Sequence, residues 1–396
     1  MTCLVDVFIN LDGQTLKAGE LVCEISPLNG RGRGAFRYMR EYLALPGAYA
    51  LDPVSLPLTE GSFAIDHPGV FGVFQDSLPD DWGKRLLIRK HNLPRGRQTF
   101  PEMLLALGSS GLGALSYAAP KKPMAPTSEP SILTLDRLVY EAELFEAGAS
   151  NDADIDHLLS AGSSPGGARP KVIVYDPEPA THYLAKFPSS KDSVDVVRLE
   201  AATMSLASKA GLIVPCTSLI QCGGKPVLLV ERFDITASGR RHMISMQSLL
   251  KAEGFYQCRY KDLLDMVRMV SADPVTDSSL LFRQMVFNAV IGNTDDHLKN
   301  FWMTCEPCEG WRLSPSFDLV PDIREAKEHI LLFDLGPYHP GRKNLEKLGR
   351  SWGVSKSAEI IEEVYVALQH WRKEFAAFGV TDADSRRFRE IDENLS

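Results

Sequence analysis

The sequence predicts an α+β protein, with a small β-rich N-terminal domain ahead of a larger two-lobed domain whose C-terminal lobe is mainly helical. Three observations carry that expectation. Apolar and polar residues alternate over 3–9 and 14–25 on either side of Asp12-Gly13, the period and turn signal of a β-hairpin. Pro120, Pro123, Pro126 and Pro130 crowd a stretch that also carries Lys, Ser and Thr, which cannot pack a core and reads as a semi-rigid linker. Beyond it, strand-like runs precede the long helical patterns, the order of an α+β arrangement. The chain is accordingly divided into residues 1–117, a Pro-rich linker over 118–133, and a second domain over 134–396.

Short strands and loops follow the hairpin to about residue 75. A helix is expected near 79–92, where Asp80 and Asp81 supply N-terminal acids ahead of Trp82, Leu86 and Leu87, and another over roughly 100–107. After the linker come a helix at 134–147, a loop at 161–170, strands at 171–175 and 182–187, and a helix at about 195–210 stopped by Gly211. Strands follow near 216–221 and 226–231. From about 278 the pattern is mainly helical, broken by 292–320. No repeat of solenoid period is present.

Lys and Arg total 43 against 51 Asp and Glu, a formal charge of −8 over 396 residues, so bulk charge does not suit a chain that coats nucleic acid. Apolar residues at 44% and charged residues at 24% exclude wholesale disorder. The opening residues lack a signal-peptide layout and no apolar run approaches membrane-spanning length, so a soluble cytoplasmic protein with no membrane partner is expected. Seven scattered cysteines fit a reducing compartment. Cys305-Glu306-Pro307-Cys308 has no second ligand pair for zinc and reads as an incidental pair in a turn.

The densest polar segment is Gly292-Asn293-Thr294-Asp295-Asp296-His297-Leu298-Lys299-Asn300, lying between two apolar stretches. A loop held by rigid flanks is where functional residues concentrate. Asp295 and Asn300 are five residues apart, the spacing at which a protein-kinase catalytic loop places its hydroxyl-activating Asp and its Mg²⁺-holding Asn. Asp318, read at the end of a strand, offers a second hard-oxygen ligand. Lys186, on a strand, offers a cation for phosphates, and Glu200, on the following helix, an ion-pair partner. Upstream, Gly166 and Gly167 let backbone N–H groups approach phosphate oxygens. Each feature alone has a bland counterpart: a strand-end surface lysine, an ordinary flexible turn. Their order is that of a two-lobed, protein-kinase-like domain. Gly108-Ser109-Ser110-Gly111-Leu112-Gly113 lacks a following Lys-Ser/Thr and reads as a turn.

With those motifs in place, the chain resembles the HipA-type serine/threonine kinases, toxins of bacterial toxin–antitoxin systems. The resemblance rests on Phe71 to Gly83 and Leu112 to Leu115 in the first domain, and on Gly166 to Lys171, Lys186, Glu231 to Asp234, Asn293 to Asn300 and Asp318 in the second. It implies ATP and Mg²⁺ as cofactors, Asp295 as catalytic base, and Asn300 and Asp318 as metal ligands. Lys186 would bind phosphates, with Gly166, Gly167, Ala168, Arg169 and Lys171 covering the nucleotide. Glu231 and Phe233 would form the adenine-binding hinge, and His297 would sit near the phosphates. Ser164, with Ser163 as the alternative, matches the serine that such kinases autophosphorylate, which would add about −1.5 to −2 charge to the loop and inactivate the enzyme. Asp296 is given no role. The resemblance also implies a HipB-like helix-turn-helix antitoxin dimer, operator DNA bound only within that complex, and a protein substrate of the aminoacyl-tRNA synthetase class.

Asn293-Thr294-Asp295 stands where ordinary kinases have His-Arg-Asp, Asp318-Leu319-Val320 replaces Asp-Phe-Gly, and GxGxxG is absent. Two other readings are a nucleotide-binding corepressor acting only through its antitoxin–operator complex, and a small-molecule phosphotransferase. The full set of Lys186, Asp295, Asn300 and Asp318 weighs against the first, and the N-terminal signature against the second. Basic residues at Arg31–Arg40 and Lys84–Arg97 read either as solvated faces or as contacts to an acidic partner.

Overall fold

The computed structural model describes residues 2–26, 31–124, 129–148, 151–160, 169–253, 257–324 and 326–396. The opening hairpin pairs β1 (Thr2–Leu11) with β2 (Gln14–Ile25) antiparallel. Asp12 (φ 46°) and Gly13 (φ 76°) take the left-handed conformation that a two-residue hairpin turn requires. With β3 (Gly32–Tyr38), β4 (Phe63–Ile65) and β5 (Leu115–Ala118) they form an antiparallel sheet of order β4-β3-β2-β1-β5. Val5, Val7 and Ile9 point to one face and are fully buried, as period-2 alternation demands. Leu21, Phe36, Phe74 and Leu104 complete that core, with the Phe100–Leu107 helix packed on β1 and β5.

The second sheet is built from β6 (Lys171–Asp176), β7 (Thr181–Lys186), β8 (Thr217–Cys222) and β9 (Lys225–Glu231), in the order β6-β7-β9-β8 and antiparallel throughout. Within it β9 reads as a continuous apolar run, Val227 to Val230, because both its faces are covered. Val227 and Leu229 pack under the Leu135–Ala147 helix, while Leu228 and Val230 meet Val197 and Ala201 of the Val196–Lys209 helix. Asp195 caps that helix by accepting from Arg198 N at 3.0 Å. The end of the proline-rich stretch is tied to this sheet, since Tyr175 N donates to Pro130 O at 2.9 Å.

A ribbon, β10 (Ile235–Thr236) with β11 (Gly239–Arg240), leads to a third sheet of β12 (His242–Ser245), β13 (Trp302–Glu306) and β14 (Gly310–Leu313). Cys305 lies in β13 and Cys308 in the β13–β14 turn, so the CxxC is spread over a hairpin end. The Tyr260–Val270 and Pro274–Ile291 helices pack together and build the larger lobe with the later Arg342–Ser351 and Ser357–Leu368 helices. Its core is continuous with that of the N-terminal sheet through Ile244, Met246 and Leu249.

Three expectations need correction. The Tyr260–Val270 helix went unnamed, although Tyr260, Leu263, Leu264 and Val267 bury one face at helical spacing. The break after Ile291 extends past 320 to the helix at Arg342, because Pro321, Pro337 and Pro340 deny the backbone donors that regular structure needs. Asp318 does not end a strand: it lies in coil between Pro315 and Pro321, five residues after β14, with φ 55°.

Candidate active site

The Pro274–Ile291 helix begins with Pro274 in its first turn and Asp273 accepting from Thr276 N. It stops at Gly292, whose φ of 75° reverses the chain into the polar loop. The loop is anchored by its own side chains. Asn293 Nδ2 donates to Asn288 Oδ1 at 3.1 Å, and Thr294 Oγ1 donates to Asp322 Oδ2 at 2.7 Å. Asn300 Nδ2 donates to the Asp295 carbonyl at 2.8 Å, closing the loop on itself and leaving its own Oδ1 available. Asp295 presents its side chain outward, 57% exposed, with Arg324 3.8 Å away.

Across the cleft, Lys186 stands at the end of β7, its Nζ 2.5 Å from Glu200 Oε1 and also bonded to the Asp318 carboxylate. Burial opposes the Lys186 charge, but Asp318 and Glu200 together hold its pKa above the ordinary value. Burial likewise raises the Glu200 carboxyl. Asp318 goes the other way: against burial, the charges of Lys186 and Lys171 keep its carboxyl below the usual range. Lys171, at the start of β6, is buried, and that burial depresses its ammonium despite the nearby acids. The left-handed backbone at Asp318 aims a carboxylate at a lysine 132 residues away in sequence.

The resulting cleft has a volume of about 590 Å³ and is lined by Arg169, Lys171, Lys186, Asp295, His297 and Asn300, together with Asp318. A smaller cavity of about 150 Å³ adjoins it, sharing Lys186, Asn300 and Asp318 and adding Glu231, Phe233 and Leu184. There Phe233 stacks on Phe317, ring centroids 6.0 Å apart at 27°. Asp295, His297, Asn300, Asp318, Lys171, Lys186, Arg169, Glu231 and Phe233 are thus brought to one place, though Arg169 is engaged by Asp192. Ser163, Ser164, Gly166, Gly167 and Ala168 lie outside the described residues. Asn300 and Asp318 offer an amide oxygen and a carboxylate, hard donors of the kind Mg²⁺ takes.

Several lining residues were not foreseen. Asp80, expected only as a helix-terminal acid, reaches the cleft and accepts from Lys299 Nζ at 2.8 Å. Asp76 is half-buried, accepting from Ser245 N and Oγ at 2.8 Å each, and desolvation pushes its carboxyl up to about 6. Asp322 and Arg324 form a pair at 2.7 Å over the cleft mouth. Asp296 is completely buried. Of these, Asp76 and Asp80 carried a signal by falling within the Phe71–Gly83 motif and Asp296 by falling within Asn293–Asn300, while Asp322 and Arg324 carried none.

Next to Glu231 and Phe233, Arg232 and Asp234 pair at 2.7 Å. Gly113 N of the N-terminal region donates to Asp234 at 2.8 Å, so the predicted turn around Gly108–Gly113 has a docking role. Some members of the basic clusters are paired internally: Arg37 with Glu20, Arg89 with Asp152, and Arg97 with Glu102. Glu141, Asp156 and His157 also gather on the smaller lobe, but Arg137 already pairs with both carboxylates there. Among the described residues, no helix is long and apolar enough to cross a membrane.

Comparison with known proteins follows the same outline. A family model described as the HipA-like C-terminal domain matches residues 163–371, and one for the HipA N-terminal domain matches residues 15–118. The Sinorhizobium fredii (strain NBRC 101917 / NGR234) protein Y4mE, provisionally named a kinase, is 32% identical over 151 residues, 35% of this chain and 34% of that protein. Y4dM of the same organism, named likewise, is 27% identical over 154 residues, 36% and 37% of the two chains. The matched part spans little more than a third of either curated relative. The solved complex of the Shewanella oneidensis MR-1 HipA toxin with HipB and operator DNA has the same fold, with a TM-score of 0.69 at 17% identity, covering 99% of this chain and 95% of that one.

Proposed function

From the premise that this chain belongs to the HipA family, we propose that it is an ATP- and Mg²⁺-dependent serine/threonine protein kinase, the toxin of a toxin–antitoxin pair. One observation carries the chemistry: the Lys186–Glu200 pair and Asp318 share a cleft with Asp295 and Asn300. In this reading Asp295, exposed at the cleft, accepts the proton of a substrate hydroxyl as that oxygen attacks the terminal phosphorus. Lys186, kept cationic by two acids, orients the phosphates, and Lys171 adds positive charge at the same wall. Glu231 and Phe233 border the adjoining cavity, where an adenine ring would meet backbone groups and the Phe233 ring. Bound Mg²⁺ would neutralise charge on the phosphate oxygens, held by Asn300 and Asp318.

The same reading assigns Gly166, Gly167, Ala168 and Arg169 to the nucleotide cover, His297 to the phosphate end, and Ser164 or Ser163 to self-inactivation. Its partners would be a HipB-like antitoxin dimer, which carries the operator contact, and a translation component such as an aminoacyl-tRNA synthetase. The similarity to a solved toxin–antitoxin–operator assembly supports the first of these. The test is incubation of purified protein with γ-labelled ATP, Mg²⁺ and a cell extract, followed by mass spectrometry. Wild type should label itself and one dominant protein, and Asp295→Gln, with unchanged thermal unfolding, should label neither. Retained transfer in Asp295→Gln refutes the assignment.

A further inference from the structure

We propose that Asp296 is the positioning residue of the catalytic loop, a buried hydrogen-bond acceptor that locks Asp295 to the segment following Asp318 without any activating modification. The proposal rests on reading Asp295 as the base. Burial alternates along the loop: Thr294 is 4% exposed and Asp296 0%, while the Asp295 side chain between them is 57% exposed. Fixing the two flanking residues therefore sets the direction in which Asp295 points.

Four donors from two separate elements converge on Asp296. Tyr260 Oη donates to Oδ2 at 2.5 Å, and His329 Nδ1 lies 2.8 Å from the same oxygen. Ile330 N and Leu331 N donate to Oδ1 at 2.9 and 3.2 Å. An ionised carboxylate accepts at about four lone-pair sites and donates at none, so the donors match its capacity. Among the described residues, no Lys or Arg pairs with it, and its two oxygens are met by the two amides, the phenol and the imidazole. Tyr260 is itself held by Asn288 Nδ2 at 3.2 Å, and Asn288 also binds Asn293, so the clamp continues into the Pro274–Ile291 helix. Ile330 N additionally donates to Thr294 O at 3.2 Å.

In many protein kinases, the segment after the metal-binding Asp is ordered by phosphorylation, through new contacts between the phosphate and arginines. Here the roles are reversed: the acceptor belongs to the catalytic loop, and residues 329–331 supply the donors. That segment is held by the chain's own carboxylate, so phosphate transfer requires no prior modification of it.

The test compares wild type with Asp296→Ala, Asp296→Asn and Tyr260→Phe. Thermal unfolding, ATP affinity, hydrogen exchange at Ile330 and Leu331, and phosphate-transfer rate are measured on each. Asp296→Ala should speed exchange at both amides and lower kcat about 100-fold, the cost of an ångström-scale misplacement, with KM for ATP unchanged. Asp296→Asn, whose Oδ1 still accepts from both amides, should recover most of the rate. A wild-type rate in Asp296→Ala, or Asp296→Asn as slow as Asp296→Ala, overturns the proposal. Should Asp296→Ala unfold, Tyr260→Phe decides: reduced kcat at unchanged KM supports positioning, and unchanged kcat overturns it. If the wild-type protein transfers no phosphate, the kinase reading fails by itself; exchange at Ile330 and Leu331 still judges the clamp, and unaltered exchange in Asp296→Asn and Asp296→Ala alike overturns it.

Discussion

His242 makes one contribution to the acid stability of this protein calculable. It begins β12, with Nε2 2.7 Å from the Leu51 carbonyl and the ring stacked on Tyr49 at 5.9 Å and 24°. Trp311 meets its other side at 5.3 Å and 62°. Burial pushes the imidazole down to about 4, and the hydrogen bond to Leu51 recovers only part of the loss. In the unfolded chain the same group titrates near 6.5, so below that pH the unfolded state takes a proton that the folded state refuses. The stabilisation is fully present above pH 6.5 and drains as pH falls toward 4, by about 2 kcal/mol at pH 5 and about 3 kcal/mol at pH 4. Urea unfolding of wild type and His242→Gln at pH 7.5 and pH 5 measures it. The glutamine keeps a donor for Leu51 and cannot titrate, so its loss on acidification should be smaller by about 2 kcal/mol. Equal losses in the two proteins refute the reasoning. Because Leu51 belongs to the N-terminal region and Met243, next to His242, lines the smaller cavity adjoining the cleft, phosphate transfer should weaken over the same pH window.

Two further outcomes follow from burial. Trp82 is 0% exposed and packs edge-on against Phe145 at 5.5 Å, joining the N-terminal region to the smaller lobe; Trp82→Ala should cost about 3–5 kcal/mol in urea unfolding. Trp82→Phe should cost far less, since the indole Nε1 has no hydrogen-bond partner among the described residues. Glu200→Gln removes a carboxylate whose burial already disfavours its charge, so the melting temperature should change little. Lys186 then leans on Asp318 alone, and losing a charge-assisted contact of about 1.5–3 kcal/mol should lower kcat/KM for ATP about 10- to 100-fold.

Local physics made much of this legible in the sequence. Asp12-Gly13 admits the left-handed turn that closes the first hairpin, Gly211 and Gly292 stop their helices, and the apolar runs in β6 and β9 could only be strands covered on both faces. The irregular segment 314–341 was illegible for the opposite reason. Its backbone is directed by partners far away in the chain, such as Cys258 and Asp296, which no period or propensity encodes.

The sequence by itself determined which chemical groups were available and in what order: a lysine on a strand, a glutamate on the next helix, Asp295 and Asn300 five apart, then Asp318. Spacing is a local property, and local properties survive without the fold. Only the tertiary structure decided that Asp318 turns to Lys186, that Asp80 of the N-terminal region reaches Lys299, and that of two adjacent aspartates Asp295 faces the cleft while Asp296 is buried. The physical reason is burial. Identical carboxylates are left exposed or tied down according to the donors packed around them, and those donors arrive from elements that meet only when the chain has folded.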